Sequence, residues 1–490
     1  MNMFRRCQSG LPTGDAIPLF HDGTYHIFFL TSPKGMTRWP DRIRTTWQHA
    51  ISKDLIHWEE LPPALEPGKD CAIDKDGCWT GSAIYANGKF HIFYTAADLD
   101  SPNQQKIAHA VSEDGIHFKK DGDKPIIVPI PEYYELIDWR DPYVFYNEDD
   151  QKYWILIAGR RNNGPDTRRG CVVLFKSEDL ANWEHYGILY DPGYTNVTEC
   201  PEMFKFKNKW YLVHSRFSEF AQTIYRVSDS PYGPFRSVKY DGIGGRRFYA
   251  AKSVANDEGR RFFFGWVHDK DQNLDTNHWL WGGDFCIPHE IIQAEDGELM
   301  IKMPKEYENI FSDKLNWSFT EKWGKVSQCE ETVTINSIST FSYGFFNVPS
   351  DTFYFNCKLN IQDCGDSAGI IMKACDDGSK CFMLSFDRPV QRVCLTKYPV
   401  PMDPYWADAS VAVKDFSNSE VDGPHVCEKS FPFKNGDTID LKIVIENHIL
   451  EIFVDEKIAF TFRCCTPMDH DIGLYAQDAI VSFTNISFFK

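Results

Sequence analysis

Apolar positions in the N-terminal part of the chain fall in short runs that repeat. Five of them are rich in aromatics: Gly23–Leu30, Gly88–Thr95, Lys152–Gly159, Asn208–Ser215 and Arg261–Val267. Their length and their aromatic and β-branched content predict strands. A second element follows the first four, as Trp47–Trp58, Ile107–Phe118, Val172–Trp183 and, more loosely, Ile224–Phe235. Each reads as a strand, a turn and an aromatic that opens the next strand. The first three turns are Ser52-Lys-Asp54, Ser112-Glu-Asp114 and Ser177-Glu-Asp179. Ser and Asp suit a turn because their side chains bond backbone groups two residues on. The period, roughly 50 to 65 residues, is that of a radial array. Five copies of a four-stranded unit predict a five-bladed β-propeller, with Gly23–Leu30 as its first strand.

The repeat ends around Trp281–Glu290, and a polar stretch, Lys305–Lys314, follows. The expected boundary lies there, giving a propeller over residues 1–312 and a second domain over 313–490. In the second domain Phe353–Asn360, Ala368–Lys373, Thr438–Ile445 and Ile449–Val454 alternate apolar and polar residues, as half-buried strands do. They predict a β-sandwich, so the whole chain reads as all-β. The sandwich is expected to be structural and to offer the surface for any homo-oligomer.

Charge narrows the partners. With 52 Lys and Arg against 70 Asp and Glu, the net charge is −18. That argues against nucleic acid and anionic membranes and suits a neutral small molecule. No run of apolar residues is long enough to span a bilayer, and the N-terminus has no apolar signal core. The 15 cysteines are odd in number and lack metal-site spacing. A cytoplasmic location, no metal and no cofactor are the expectations.

Three acids precede aromatic strands. Asp15 lies in Leu11–Pro18, Asp141 in Trp139-Arg-Asp-Pro142, and Glu199 in Thr198-Glu-Cys-Pro201. Carboxyl groups from three blades, converging on one axis, can hydrolyse a glycosidic bond: one ionised, one holding a proton, one bracing hydroxyls. Two rivals lie close by. Alternation puts Glu202 on the opposite strand face from Glu199, and Asp138 is expected to face solvent rather than compete with Asp141. His49 and His109 recur with the blade repeat and read as structural. Gly242–Gly245 has no following helix and is not a phosphate loop.

At these residues the sequence resembles glycoside hydrolase family 32, the β-fructosidases. Trp139–Pro142 is similar to the family's Arg-Asp-Pro motif and Glu199–Pro201 to its Glu-Cys motif. Trp79–Ala83, Trp47–Trp58, Arg247–Ala251, Trp281–Glu290 and the sandwich also have family counterparts. The resemblance implies Asp15 as nucleophile, Asp141 as transition-state stabiliser and Glu199 as acid/base. It implies a sugar-binding group of Arg140, Trp39, Trp47, Trp79, Thr80 and Tyr249. The departures fall beside the nucleophile. The family's Asn-Asp-Pro-Asn-Gly is here Gly14-Asp15-Ala16-Ile17-Pro18, and its Phe-Tyr-Gln is Phe28-Phe29-Leu30. Two asparagine amides and a glutamine amide are gone, with Arg38, Trp39 and Trp79 as candidate replacements. The expected activity is retaining exo-hydrolysis of small fructosides, with sucrose a poor substrate. An inverting arabinosidase-type furanosidase, a fructosyltransferase and a sugar-binding propeller without catalysis are the alternatives the residues leave open.

Overall fold

The computed structural model describes residues 3, 5–69, 72–218, 221–400, 425–465 and 468–490. Strands dominate; the one α-helix among the described residues, Lys305–Ile310, is 6 residues long. The chain forms two compact units, Asn2–Asp269 with Leu280–Met300, and Lys270–Trp279 with Ile301–Lys490.

The first unit is a five-bladed β-propeller. Blade 1 is an antiparallel meander of Thr13–His21, Thr24–Thr31, Thr46–Ser52 and Trp58–Leu65. The later blades open with Gly77–Ala86, Arg140–Asn147, Glu199–Phe206 and Tyr249–Ala255. These five opening strands pack side by side in a closed ring. Gly283 pairs with Thr13, which fastens the last blade to the first. The aromatic runs are therefore the second strands of their blades, not the first. Each lies between an inner strand and an outer one and is buried on both faces; Phe28, Phe93, Trp154 and Phe263 are fully enclosed.

The Ser-x-Asp elements are turns, as expected. Asp54 Oδ1 accepts the N–H groups of Ile56 (2.9 Å) and His57 (2.8 Å). Asp114 does the same for Ile116 and His117, and Asp179 for Ala181 and Asn182. His49 and His109 pair with His26 and His91 across strands two and three, at 3.1 and 3.0 Å. Burial pushes the His49 imidazole down to about 3, so it is neutral and structural.

The second unit is a β-sandwich built on two long strands, Thr352–Ala374 and His470–Phe489. The runs expected as separate strands, Phe353–Asn360 and Ala368–Lys373, are two halves of one. Register shifts between Asn356 and Lys358, Ile361 and Asp363, and Cys364 and Ser367 bend it from one sheet into the other. Its first half pairs with Thr438–Glu446 and its second with Cys381–Asp387. Phe355, Leu359, Ile370, Ile443, Leu474 and Phe488 fill the space between the sheets.

Candidate active site

The inner strand of every blade is interrupted near one end of the ring. Register shifts fall between Thr13 and Ala16, Trp79 and Gly81, Glu199 and Glu202, and Tyr249 and Lys252; in blade 3 the shift lies opposite Leu156–Ala158, at Arg140–Tyr143. A bulge frees one residue from the ladder and re-aims its side chain. Aligned on the bulge, the five strands present Asp15, Thr80, Asp141, Cys200 and Ala250, preceded by Gly14, Trp79, Arg140, Glu199 and Tyr249. Asp141, Cys200 and Ala250 take φ of 58°, 49° and 47°, a conformation rare outside glycine. One backbone irregularity, repeated in five blades, thus sets which residues meet at this end of the ring.

Asp15, Asp141 and Glu199 open on a single cavity of about 340 Å³, together with Thr80, Trp79, Arg140, Cys200 and Tyr249. The Thr80 hydroxyl donates to Asp15 Oδ2, and the Trp266 indole N–H donates to Oδ1 at 3.1 Å. The Cys200 thiol lies 3.7 Å from Asp15 Oδ2, and the Cys200 backbone N–H donates to Asp141 Oδ2 at 2.8 Å. Glu199 is held from both sides. Arg140 Nη2 donates to Oε1 at 2.9 Å and the Tyr249 hydroxyl to Oε2 at 2.6 Å.

Burial pushes the Asp15 carboxyl up, and the nearby Glu199 charge adds to this; the Thr80 and Trp266 donors oppose it. Asp141 is raised to about 6, first by burial, against the pull of Arg140 and the Cys200 N–H. Charges packed together in low dielectric resist ionising together. Arg140 stays a cation, its loss of solvent outweighed by Glu199, Asp141 and Asp138.

Asp138 does not face solvent. It lines the cavity and accepts from Arg140 Nη1 at 2.5 Å, because the residue sits at φ 54° ahead of the strand and turns inward. Alternation does not separate Glu199 from Glu202 either. The bulge sets them opposite Ser215 and Val213, two residues apart on the neighbouring strand, so both fall on one face. Depth separates them: Glu202 is fully buried below the cavity, where the Ser253 N–H and hydroxyl donate to it.

Of the aromatics, Trp79 and Trp39 line the cavity, and Trp39 is 58 % exposed. Trp47 does not. It is fully buried, and its indole N–H donates to the Trp79 carbonyl at 3.0 Å, so it supports Trp79 from below. Arg42, Gln105, Leu30 and Trp281 also line the cavity and were not legible as a group. Gln105 had no motif around it; its Oε1 accepts the Trp139 N–H at 3.1 Å and so steadies the approach to Arg140. Among the described residues no His, Cys, Asp and Glu cluster is arranged to hold a metal ion, and no helix is long and apolar enough to cross a membrane.

A model of the glycosyl hydrolases family 32 N-terminal domain matches residues 15–304, and one of the family 32 C terminal matches residues 320–490. The chain is 25% identical to a sucrose-6-phosphate hydrolase of Escherichia coli over 484 residues, 94% of this chain and 88% of that protein. It is 29% identical to a fructan 1-exohydrolase of Leymus chinensis over 328 residues, 61% of this chain and 53% of that protein. Among solved structures, sucrose-6-phosphate hydrolase from Lactobacillus gasseri aligns with a TM-score of 0.72 at 20% identity, covering 100% of this chain and 92% of that one. Exo-inulinase from Aspergillus awamori aligns with a TM-score of 0.72 at 18% identity, covering 100% and 97%. At those identities the structural likeness speaks for the fold.

Proposed function

The chain belongs to glycosyl hydrolase family 32, and from that premise we propose that it is a retaining exo-β-fructosidase acting on short fructosides. It is a glycoside hydrolase of the β-fructofuranosidase type. One observation carries the finer reading: acids from three blades, Asp15, Asp141 and Glu199, open on one cavity. In this reading Asp15 attacks the anomeric carbon, and the Thr80 and Trp266 donors favour its ionised form against its burial. The three carboxyls share one buried cavity, which resists their ionising together. Glu199, as acid/base, delivers a proton to the leaving oxygen and then takes one from the water that releases the sugar. Asp141 braces ring hydroxyls as positive charge builds on the sugar. Trp39, exposed at the rim, stacks on the leaving group.

Retention needs Asp15 and Glu199 about 5 to 5.5 Å apart. The Cys200 thiol beside Asp15, one residue along from Glu199, supports such closeness. The buried thiols of Cys78, Cys171 and Cys200 support a reducing, cytoplasmic setting, where short oligosaccharides arrive by import. The test is a substrate panel of sucrose, 1-kestose, inulobiose, levanbiose and aryl arabinofuranosides, with Asp15→Asn as control. Release of fructose with retained configuration by NMR, abolished in Asp15→Asn, is the expected result. Inversion, or turnover of the arabinosides alone, would overturn it.

A further inference from the structure

The nucleophile's surroundings pose a problem of partners. Leu30 lines the cavity, and Ala16 and Ile17 are buried behind it, so this wall offers sugar hydroxyls nothing. Gly14 shows why an amide is missing beside Asp15. A Cβ there would collide with the Trp281 ring, which lies against the Gly14 backbone. Trp281 occupies the space that a side chain at position 14 would fill.

Arg42 rests on that tryptophan. Its guanidinium carbon is 5.7 Å from the ring centroid, in cation–π contact, and the residue lines the cavity. The other cavity arginine, Arg140, is saturated by Asp138, Asp141 and Glu199. Arg42 is not: among the described residues its side chain makes no hydrogen bond or ion pair, and burial disfavours its charge, with nearby Asp15 and Glu199 only partly offsetting this. Its backbone is fixed. The Arg42 N–H donates to the Arg38 carbonyl at 2.9 Å, and its own carbonyl accepts from the Ser32 hydroxyl at 2.6 Å. The next residue, Ile43, is buried, and its carbonyl accepts the Trp79 indole N–H at 2.8 Å. A part-buried guanidinium with a fixed base and five unused N–H groups is a donor fork awaiting acceptors.

We propose that Arg42, carried on Trp281, is the specificity-determining residue of this site, donating to a pair of hydroxyl oxygens on the sugar at the nucleophile. This rests on the fructosidase reading. It names neutral hydroxyls because four carboxyls, Asp15, Asp138, Asp141 and Glu199, share the cavity with two arginines, which disfavours an anionic group.

The experiment compares Arg42→Ala and Arg42→Gln with the parent on 1-kestose, inulobiose and sucrose 6-phosphate. Calorimetric binding of 1-kestose is measured in parallel, with and without Arg42→Ala, in an Asp15→Asn background. The expected result is a fall in kcat/KM of about 10- to 100-fold on the neutral fructosides in Arg42→Ala, from two lost donor bonds. A matching loss of 1-kestose binding, partial rescue by the amide of Arg42→Gln and an unchanged melting temperature complete it. Neutral-substrate kinetics within twofold of the parent would overturn the proposal. So would a loss confined to sucrose 6-phosphate, which would make Arg42 an anion site. If the parent cleaves no fructoside, the fructosidase reading fails by itself. Arg42 then stands if 1-kestose binds in Asp15→Asn and is lost with Arg42→Ala, and falls if 1-kestose does not bind.

Discussion

Asp141 is a carboxyl that the fold holds against its own preference. Its pKa is raised from 3.8 to about 6, with burial the largest cause. A folded-state pKa above the unfolded one means that the folded chain binds the proton more tightly. The stabilisation this gives is complete below about pH 4 and is lost as pH rises through 6, so at pH 7 the charged side chain is a cost. Asp141→Asn is therefore expected to raise stability at pH 7 by about 1 to 3 kcal/mol, with the gain vanishing below pH 4 in a melting series. The same variant is expected to lower kcat by about 100- to 1,000-fold, the scale of a lost transition-state contact. A variant that is both less stable and active would refute this account. Thr80 works in the opposite direction on Asp15. Its hydroxyl favours the Asp15 carboxylate, so, if Asp15 is the nucleophile proposed, Thr80→Val is expected to move the acidic limb of the kcat/KM profile to higher pH. An unmoved limb would mean that Asp15 ionisation does not govern it. The three acids that share the cavity were legible because each stands in a short motif with a distinctive neighbour. Arg42 was not, because the single 3-10 turn Asp41–Ile43 is too short to carry periodicity, and the tryptophan it rests on is more than 200 residues away in sequence.

At the scale of the element, the reading of the blades went astray in one respect, and the bulge explains it. Inner strands such as Gly14–Pro18 and Arg140–Tyr143 combine an acid with proline, and the first also with glycine, which is the composition of a turn. They are nonetheless strands, because the neighbouring second strand supplies a ladder and the irregular residue is pushed out of it. The aromatic run behind was the visible strand and so was counted first. The same bulge undid the alternation argument for Glu199 and Glu202, since an inserted residue resets parity. The Ser-x-Asp turns were readable in full because their bonds are local. Asp54→Ala removes acceptors for the Ile56 and His57 N–H groups and the His57 ring. It is expected to destabilise the unit by about 1 kcal/mol, the net worth of such bonds where water can replace them. Asp54 is held near 2 by those donors, once its slight burial is overcome, so its stabilisation is present above about pH 4 and fades as pH falls through 2. Urea denaturation of the variant at pH 7 and pH 2.5 checks both the size and the convergence.

At the scale of the whole molecule, the change from aromatic repeats to short alternating strands marked two domains. It did not mark Lys270–Trp279, a ten-residue stretch inside the propeller's sequence that belongs to the sandwich unit. Nothing in its composition announces this; its partners lie almost 200 residues later. Asp275 is 6 % exposed and accepts the Cys465 N–H at 2.8 Å, and the Cys464 thiol lies 3.6 Å from its other oxygen. Trp279 meets Phe462 edge to face at 5.6 Å. A propeller cut after residue 312, the boundary expected from the sequence, keeps this stretch but discards Phe462, Cys464 and Cys465. Asp275 then loses the Cys465 N–H, and the Trp279 ring loses its edge-to-face partner Phe462, which favours association. The fragment 1–312 is expected to be poorly soluble and to aggregate during size-exclusion chromatography. Replacing Asp275 with Asn and Trp279 with Ser in the fragment is expected to recover some soluble protein, because both liabilities lie in the orphaned stretch. A monodisperse, fully active fragment without those changes would show that the propeller carries this stretch unaided.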